Sequence, residues 1–165
     1  MKIEMDSDLF AQVGDIVHSI CSDELAGRPE IPEMRMRNHR FGIKVWFGPA
    51  KPTRGHYEAQ MLRRKKVDGK EGMCLEIGFH SEHPKVEQNE AEIEVLLAKE
   101  KSWRKALGPE ATAGEFFDAD VWRRLSDVWF DPDLTEPDIA LEIAGRLSDY
   151  LLSLEPIRQA AAVSV

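Results

Sequence analysis

Only two cysteines, Cys21 and Cys74, occur in the 165 residues. They are too few and too far apart for a disulfide framework or a cysteine-based zinc site. Each falls where regular structure is expected, and a lone cysteine there acts as a small buried hydrophobe. No apolar run approaches membrane-spanning length, and the opening MKIEMDSDLF holds no signal-peptide core. Positive charge is scarce as well. Thirty acids against 22 Lys and Arg leave a formal charge of −8, which repels phosphate backbones and disfavours nucleic acid as a partner. The one dense basic cluster, Arg63-Arg64-Lys65-Lys66, runs into a turn signal and reads as a solvated hairpin tip. There is no phosphate-cradling glycine loop, no nucleophile elbow and no His-Glu-x-x-His helix. These absences point to a cytoplasmic protein with no cofactor implied by motif and no membrane contact.

What the chain does contain is enough apolar material for a core, 42% hydrophobic against 32% charged residues. At this length the expectation is one globular domain over 1–165, with 155–165 a partly frayed tail. Leu9, Phe10, Val13, Ile16, Val17, Ile20 and Leu25 recur near the helical period, with Asp6 or Ser7 as cap and Gly14 as a weak point. The prolines of Gly27–Pro32 enforce a linker. From Arg40 the period becomes two, with Phe41, Ile43, Val45 and Phe47 alternating against Gly42, Lys44 and Trp46. A loop over 48–55 leads to a second strand, His56 to Arg64, and Asp68-Gly69 supplies the turn into a third, Met73 to Phe79 or His80. Pro84 and Asn89-Glu90-Ala91-Glu92 open a helix striped by Ile93, Leu96, Leu97, Trp103 and Leu107, which Gly108-Pro109 ends. VWRRLSDVWF, 121–130, favours a fourth strand over a short helix. Thr135 caps a last helix striped by Ile139, Ile143, Leu147, Leu151 and Leu154. The order α-β-β-β-α-β-α specifies a two-layer α+β fold, an antiparallel sheet of three to four strands with helices on one face.

The other face is where a function is easiest to place. With Leu75, Ile77 and Phe79 turned to the helices, Cys74, Glu76, Gly78 and His80 turn away. Pairing Tyr57 with Phe79 then sets His56 opposite His80 and Glu58 opposite Gly78, with facing Cβ atoms about 5 Å apart. His56, Glu58 and His80 can therefore converge on a divalent metal, with Gly78 leaving room. Glu76 lies roughly 13 Å along the strand from His80, too far to share that ion unless a bulge shortens the path. The expected state of this face is solvated. Lys44, Trp46, His56, Glu58, Glu76 and His80 form the candidate binding face, and Trp46 there needs cover from the 48–55 loop, a partner or a second copy.

Two functional expectations follow. One is a binding or protein-interaction module that uses this polar face for a protein partner or self-association; its element order resembles secretion-type chaperones in topology alone. The other is a metal-dependent hydrolase or degenerate nuclease-like enzyme. The order also resembles the core of restriction-endonuclease-like nucleases, which would imply Glu58 and Glu76 on strands two and three as the acids that hold Mg²⁺, with Lys44 as the lysine. The resemblance fails at Gly78, which stands where that family's lysine belongs.

Overall fold

The computed structural model describes residues 3–163. The N-terminal stripe coils into α1 (Leu9–Ala26), whose buried side is Leu9, Phe10, Val13, Gly14, Val17 and Cys21. Ile20, included in the expected stripe, lies on the exposed rim. Gly14 is where α1 touches the sheet: a Cβ there would sit 3.1 Å from both Ile43 Cδ1 and Met36 Sδ.

Six strands form one antiparallel sheet in the order β1-β2-β3-β4-β6-β5. They are β1 (Met34–His39), β2 (Gly42–Phe47), β3 (Gly55–Arg63), β4 (Met73–Ser81), β5 (Thr112–Phe116) and β6 (Ala119–Phe130). The expected count of three to four is too low. β1 and β5 are the two edges, and each pairs with a single neighbour, so neither needs a strongly apolar sequence. The segment 121–130 is strand, as its tryptophans and valines suggest. Tyr57 pairs with Phe79 and Ala59 with Ile77, the register that keeps both apolar sets on one side.

Five helices accompany the sheet. Between β3 and β4 the chain makes a short α2 (Arg64–Asp68) that ends on Gly69 at φ 78°, in place of a tight hairpin turn. The long helix expected after Pro84 is two, α3 (Val86–Leu97) and α4 (Glu100–Leu107). α3 begins before Asn89, so that residue is buried inside the helix and is not its cap. Leu97, placed in the stripe by periodicity, is exposed. α5 (Ile139–Val163) continues through Pro156. The tail expected to fray from 155 is therefore helical to Val163, and residues 164–165 lie outside the described part. Thr135 does not cap this helix; it bonds Asp133 instead.

α1 packs on α5 and on β1 and β2, while α5 and α3 reach β3, β4 and β6. Val13, Val17, Ile43, Val45, Tyr57, Leu75, Ile77, Phe79, Leu125, Leu147 and Leu151 fill the layer between them. Among the described residues, the charges buried in that layer are paired. Asp127 is held by Arg146 and Tyr150, and Glu155 accepts from Tyr57 and Arg158. No helix among the described residues is long and apolar enough to cross a membrane.

Candidate metal centre

Alternation along β3 and β4 sends His56, Glu58, Gln60, Glu76, Gly78 and His80 to the face opposite the helices, with His56 opposite His80 and Glu58 opposite Gly78. That face is not solvated. His80 and Glu76 are 0% exposed, His56 2% and Trp46 3%. The cover comes from both flanks. Phe116, on the β5 edge, packs edge-on against His80 with ring centroids 5.0 Å apart, and Trp122 backs Phe116. Arg124 lies over Phe117. On the other flank, Trp46 Nε1 donates to the Pro49 carbonyl at 2.8 Å, so the loop after β2 shields the indole. Of the six residues of the expected binding face, Lys44 has the most accessible side chain, 34% exposed.

Four side chains meet in this covered space: His56, Glu58, His80 and Glu82. The first three are the trio that strand pairing predicts. Glu82 is the addition, and it completes a repeated pattern, His56-Tyr57-Glu58 on β3 and His80-Ser81-Glu82 at the end of β4. Alternation continues one step past β4 because Glu82 N–H still donates to the Arg54 carbonyl at 3.0 Å. Asn89 then fixes the turn: its Oδ1 accepts from Ser81 Oγ and His83 N–H, and its Nδ2 donates to the carbonyls of His83 and Val121. His83 is drawn away to Glu92 on α3 and takes no part in the cluster.

Each ring nitrogen of the cluster faces both carboxylates. His56 Nε2 is 2.9 Å from Glu58 Oε1 and 3.5 Å from Glu82 Oε2. His80 Nδ1 is 3.8 Å from Glu58 Oε1 and 3.4 Å from Glu82 Oε2. All four donors lie within 4.8 Å of one another. The outward nitrogens of both rings are engaged. His56 Nδ1 is 2.8 Å from the Thr53 carbonyl, to which it can only donate. His80 Nε2 is 2.7 and 2.8 Å from the two oxygens of Glu76, whose Oε1 also accepts from Gln60 at 3.2 Å. His80 Nδ1, fully buried and aimed into the cluster, has no hydrogen-bond partner.

Although Glu76 and His80 stand four positions apart on β4, their side chains meet at 2.7 Å. The two side chains lean toward each other over Gly78 and close the gap that backbone distance alone leaves. Glu76 does so from behind the ring and is not among the four converging groups.

Electrostatics bind the cluster together. Burial opposes charge on His56, but the Glu58 and Glu82 carboxylates outweigh it and raise its pKa above the usual value. Burial likewise opposes charge on His80, and Glu76, with Glu58 and Glu82, holds it well above. Burial would raise both carboxylates, yet the imidazoles pull Glu58 far below the usual range and Glu82 to about 2. Lys44, paired with Glu58 across β2 and β3, places Nζ 3.3 Å from the same Oε1.

Two imidazole nitrogens and two carboxylates with no sulfur are donors for a transition-metal ion such as Zn²⁺. No protein-family model matches this chain, and neither a curated protein nor a solved structure matches it, so the geometry alone carries the functional reading.

Proposed function

We propose that this protein binds a divalent transition-metal ion of the zinc class through His56 Nε2, Glu58, His80 Nδ1 and Glu82, and that the ion ties β3 to the end of β4. The carrying observation is His80 Nδ1, a buried nitrogen that makes no hydrogen bond and stands 3.8 and 3.4 Å from the Glu58 and Glu82 carboxylates of a four-donor cluster. A tetrahedral ion with metal–ligand bonds of about 2.0 Å requires ligand atoms about 3.3 Å apart. The four nitrogen–oxygen separations, 2.9, 3.4, 3.5 and 3.8 Å, bracket that edge length. Ca²⁺ asks for six to eight oxygens and Mg²⁺ for an octahedron rich in water, neither of which suits a buried N₂O₂ set.

The interaction-module reading has less support, because most of its candidate residues lie beneath the surface and Lys44 is the main group a partner would reach. The nuclease-like reading needs Glu58 and Glu76 on one ion, yet they approach opposite nitrogens of the His80 ring. A closed set of four protein donors fits an ion that stabilises better than one that reacts.

Zinc titration against a chromophoric chelator, with metal content measured after dialysis, tests the proposal. Wild type should retain one ion per chain, and Glu82→Gln, which alters the most exposed ligand, should bind far more weakly while staying folded. Absence of bound metal in wild type, or equal affinity in Glu82→Gln and His56→Ala, refutes it.

A further inference from the structure

Resting on the metal-binding reading above, we infer that the two histidines ligate through different ring nitrogens, and that Glu76 is the positioning residue that imposes this on His80. His56 gives Nδ1–H to the Thr53 carbonyl and so offers Nε2. His80 faces the reverse arrangement. Both oxygens of Glu76 lie at hydrogen-bonding distance from Nε2, and an ionised carboxylate can only accept. With an ion bound, the proton would stay on Nε2 and the lone pair would come from Nδ1, which makes no hydrogen bond and lies 3.4 Å from Glu82 Oε2.

Three features make this a held arrangement. Glu76 and His80 are both fully buried, so water does not compete for the Nε2 proton. Gln60 anchors one Glu76 oxygen from the neighbouring strand. Phe116 stands against the imidazole at 5.0 Å and restricts ring rotation. A carboxylate behind a metal-bound imidazole both orients it and raises its donor strength, and losing such a group typically costs 10–100-fold in metal affinity. Glu76 touches no metal in this scheme; it acts through His80.

Long-range ¹H–¹⁵N correlation spectra of the zinc-loaded wild-type chain read the ring nitrogens directly. His80 should show protonated Nε2 and metal-shifted Nδ1, and His56 the opposite pair. Zinc competition titrations of two variants accompany the spectra. Glu76→Leu removes the acceptor, so it should mix the His80 tautomers and weaken binding roughly 100-fold. Glu76→Gln keeps an acceptor but no charge, so it should retain the tautomer and lose roughly tenfold. A His80 bound through Nε2 overturns the inference from wild type alone, whether or not the variants fold. So does a Glu76→Leu chain that binds within twofold of wild type with the same His80 signals. In either case zinc binding by wild type leaves the metal centre standing, whereas a wild type that binds no zinc removes both readings.

Discussion

Gly78→Ala is the smallest change that tests the geometry beneath the cluster. Gly78 has φ 156°, a backbone conformation open to glycine and strained for any residue with a Cβ. It lies between Glu76 and His80 on β4, opposite Glu58 on one side and Ser126 on the other. A methyl group built there would sit 2.5 Å from Ser126 Cα and 2.6 Å from Ser126 Cβ, and nearer still to the Leu125 carbonyl oxygen. All three obstacles belong to β6, two of them backbone atoms, so no flexible side chain can turn aside. Strain of about 1–3 kcal/mol and overpacking of about 1–3 kcal/mol together give an expected loss of about 2–6 kcal/mol. In a domain of this size each kcal/mol lowers Tm by about 2–4 °C. Urea denaturation of metal-free protein, followed by tryptophan fluorescence, should show a lower midpoint with an unchanged slope. The variant should also bind zinc weakly, because moving β4 away from β6 shifts His80 relative to Glu58. An unfolding free energy within about 0.5 kcal/mol of wild type would show that β4 relaxes freely at this position, and the rigid cluster reading would go with it.

The remaining predictions concern charge and packing. His56 and His80 have pKa values raised above 6.5, so metal-free stability from these groups is complete below that pH and is lost as pH climbs through the folded values. Glu58 and Glu82 are depressed, so their contribution is present above 4.5 and disappears only in strong acid. Zinc, which needs neutral imidazoles, should therefore raise Tm more at pH 8 than at pH 6 by scanning calorimetry; equal increments would contradict this. Lys44→Gln removes an ammonium beside the Glu58 oxygen, and zinc should bind roughly fivefold tighter, about 1 kcal/mol after solvent screening. Weaker binding in that variant would mean Lys44 holds Glu58 in place. Leu75→Ala, on the helix side of β4, should cost about 2–5 kcal/mol in denaturation while one zinc per chain is retained. Loss of both together would show that the two faces of the strand are not independent.

Which face each residue of β3 and β4 takes was legible in the sequence, because alternation and the Tyr57–Phe79 register leave no second way to bury Leu75, Ile77 and Phe79. Burial of the opposite face was not legible. It depends on Phe116 and Trp122, which arrive from β5 and β6, and no local pattern in Thr112–Phe116 marks that segment as a strand. β1 escaped notice for a related reason, since its only apolar residues are Met34 and Met36 between arginines. Glu82 was missed at the end of β4, although the repeat of His-x-Glu at 56–58 and 80–82 carried the signal. Alternation outlasts the strand because of the Asn89 clasp, which comes from a helix and not from the strand's own pattern. The split between α3 and α4 was hidden because Leu96, Trp103 and Leu107 keep one stripe across Lys99.

The burial that the sequence concealed is what gives the cluster its chemical meaning. Taking imidazole and carboxylate groups out of water is costly unless they are paired, and a solvated face of His and Glu would need no further account. Here Glu58, Glu82 and Glu76 surround two rings, and those carboxylates raise the pKa of both imidazoles against the effect of burial. The four nitrogen–oxygen separations already lie near a tetrahedron's edge length. On the proposed reading, the affinity would rest on the groups that aim the donors: Thr53 behind His56, Glu76 behind His80, and Asn89 holding the turn that delivers Glu82.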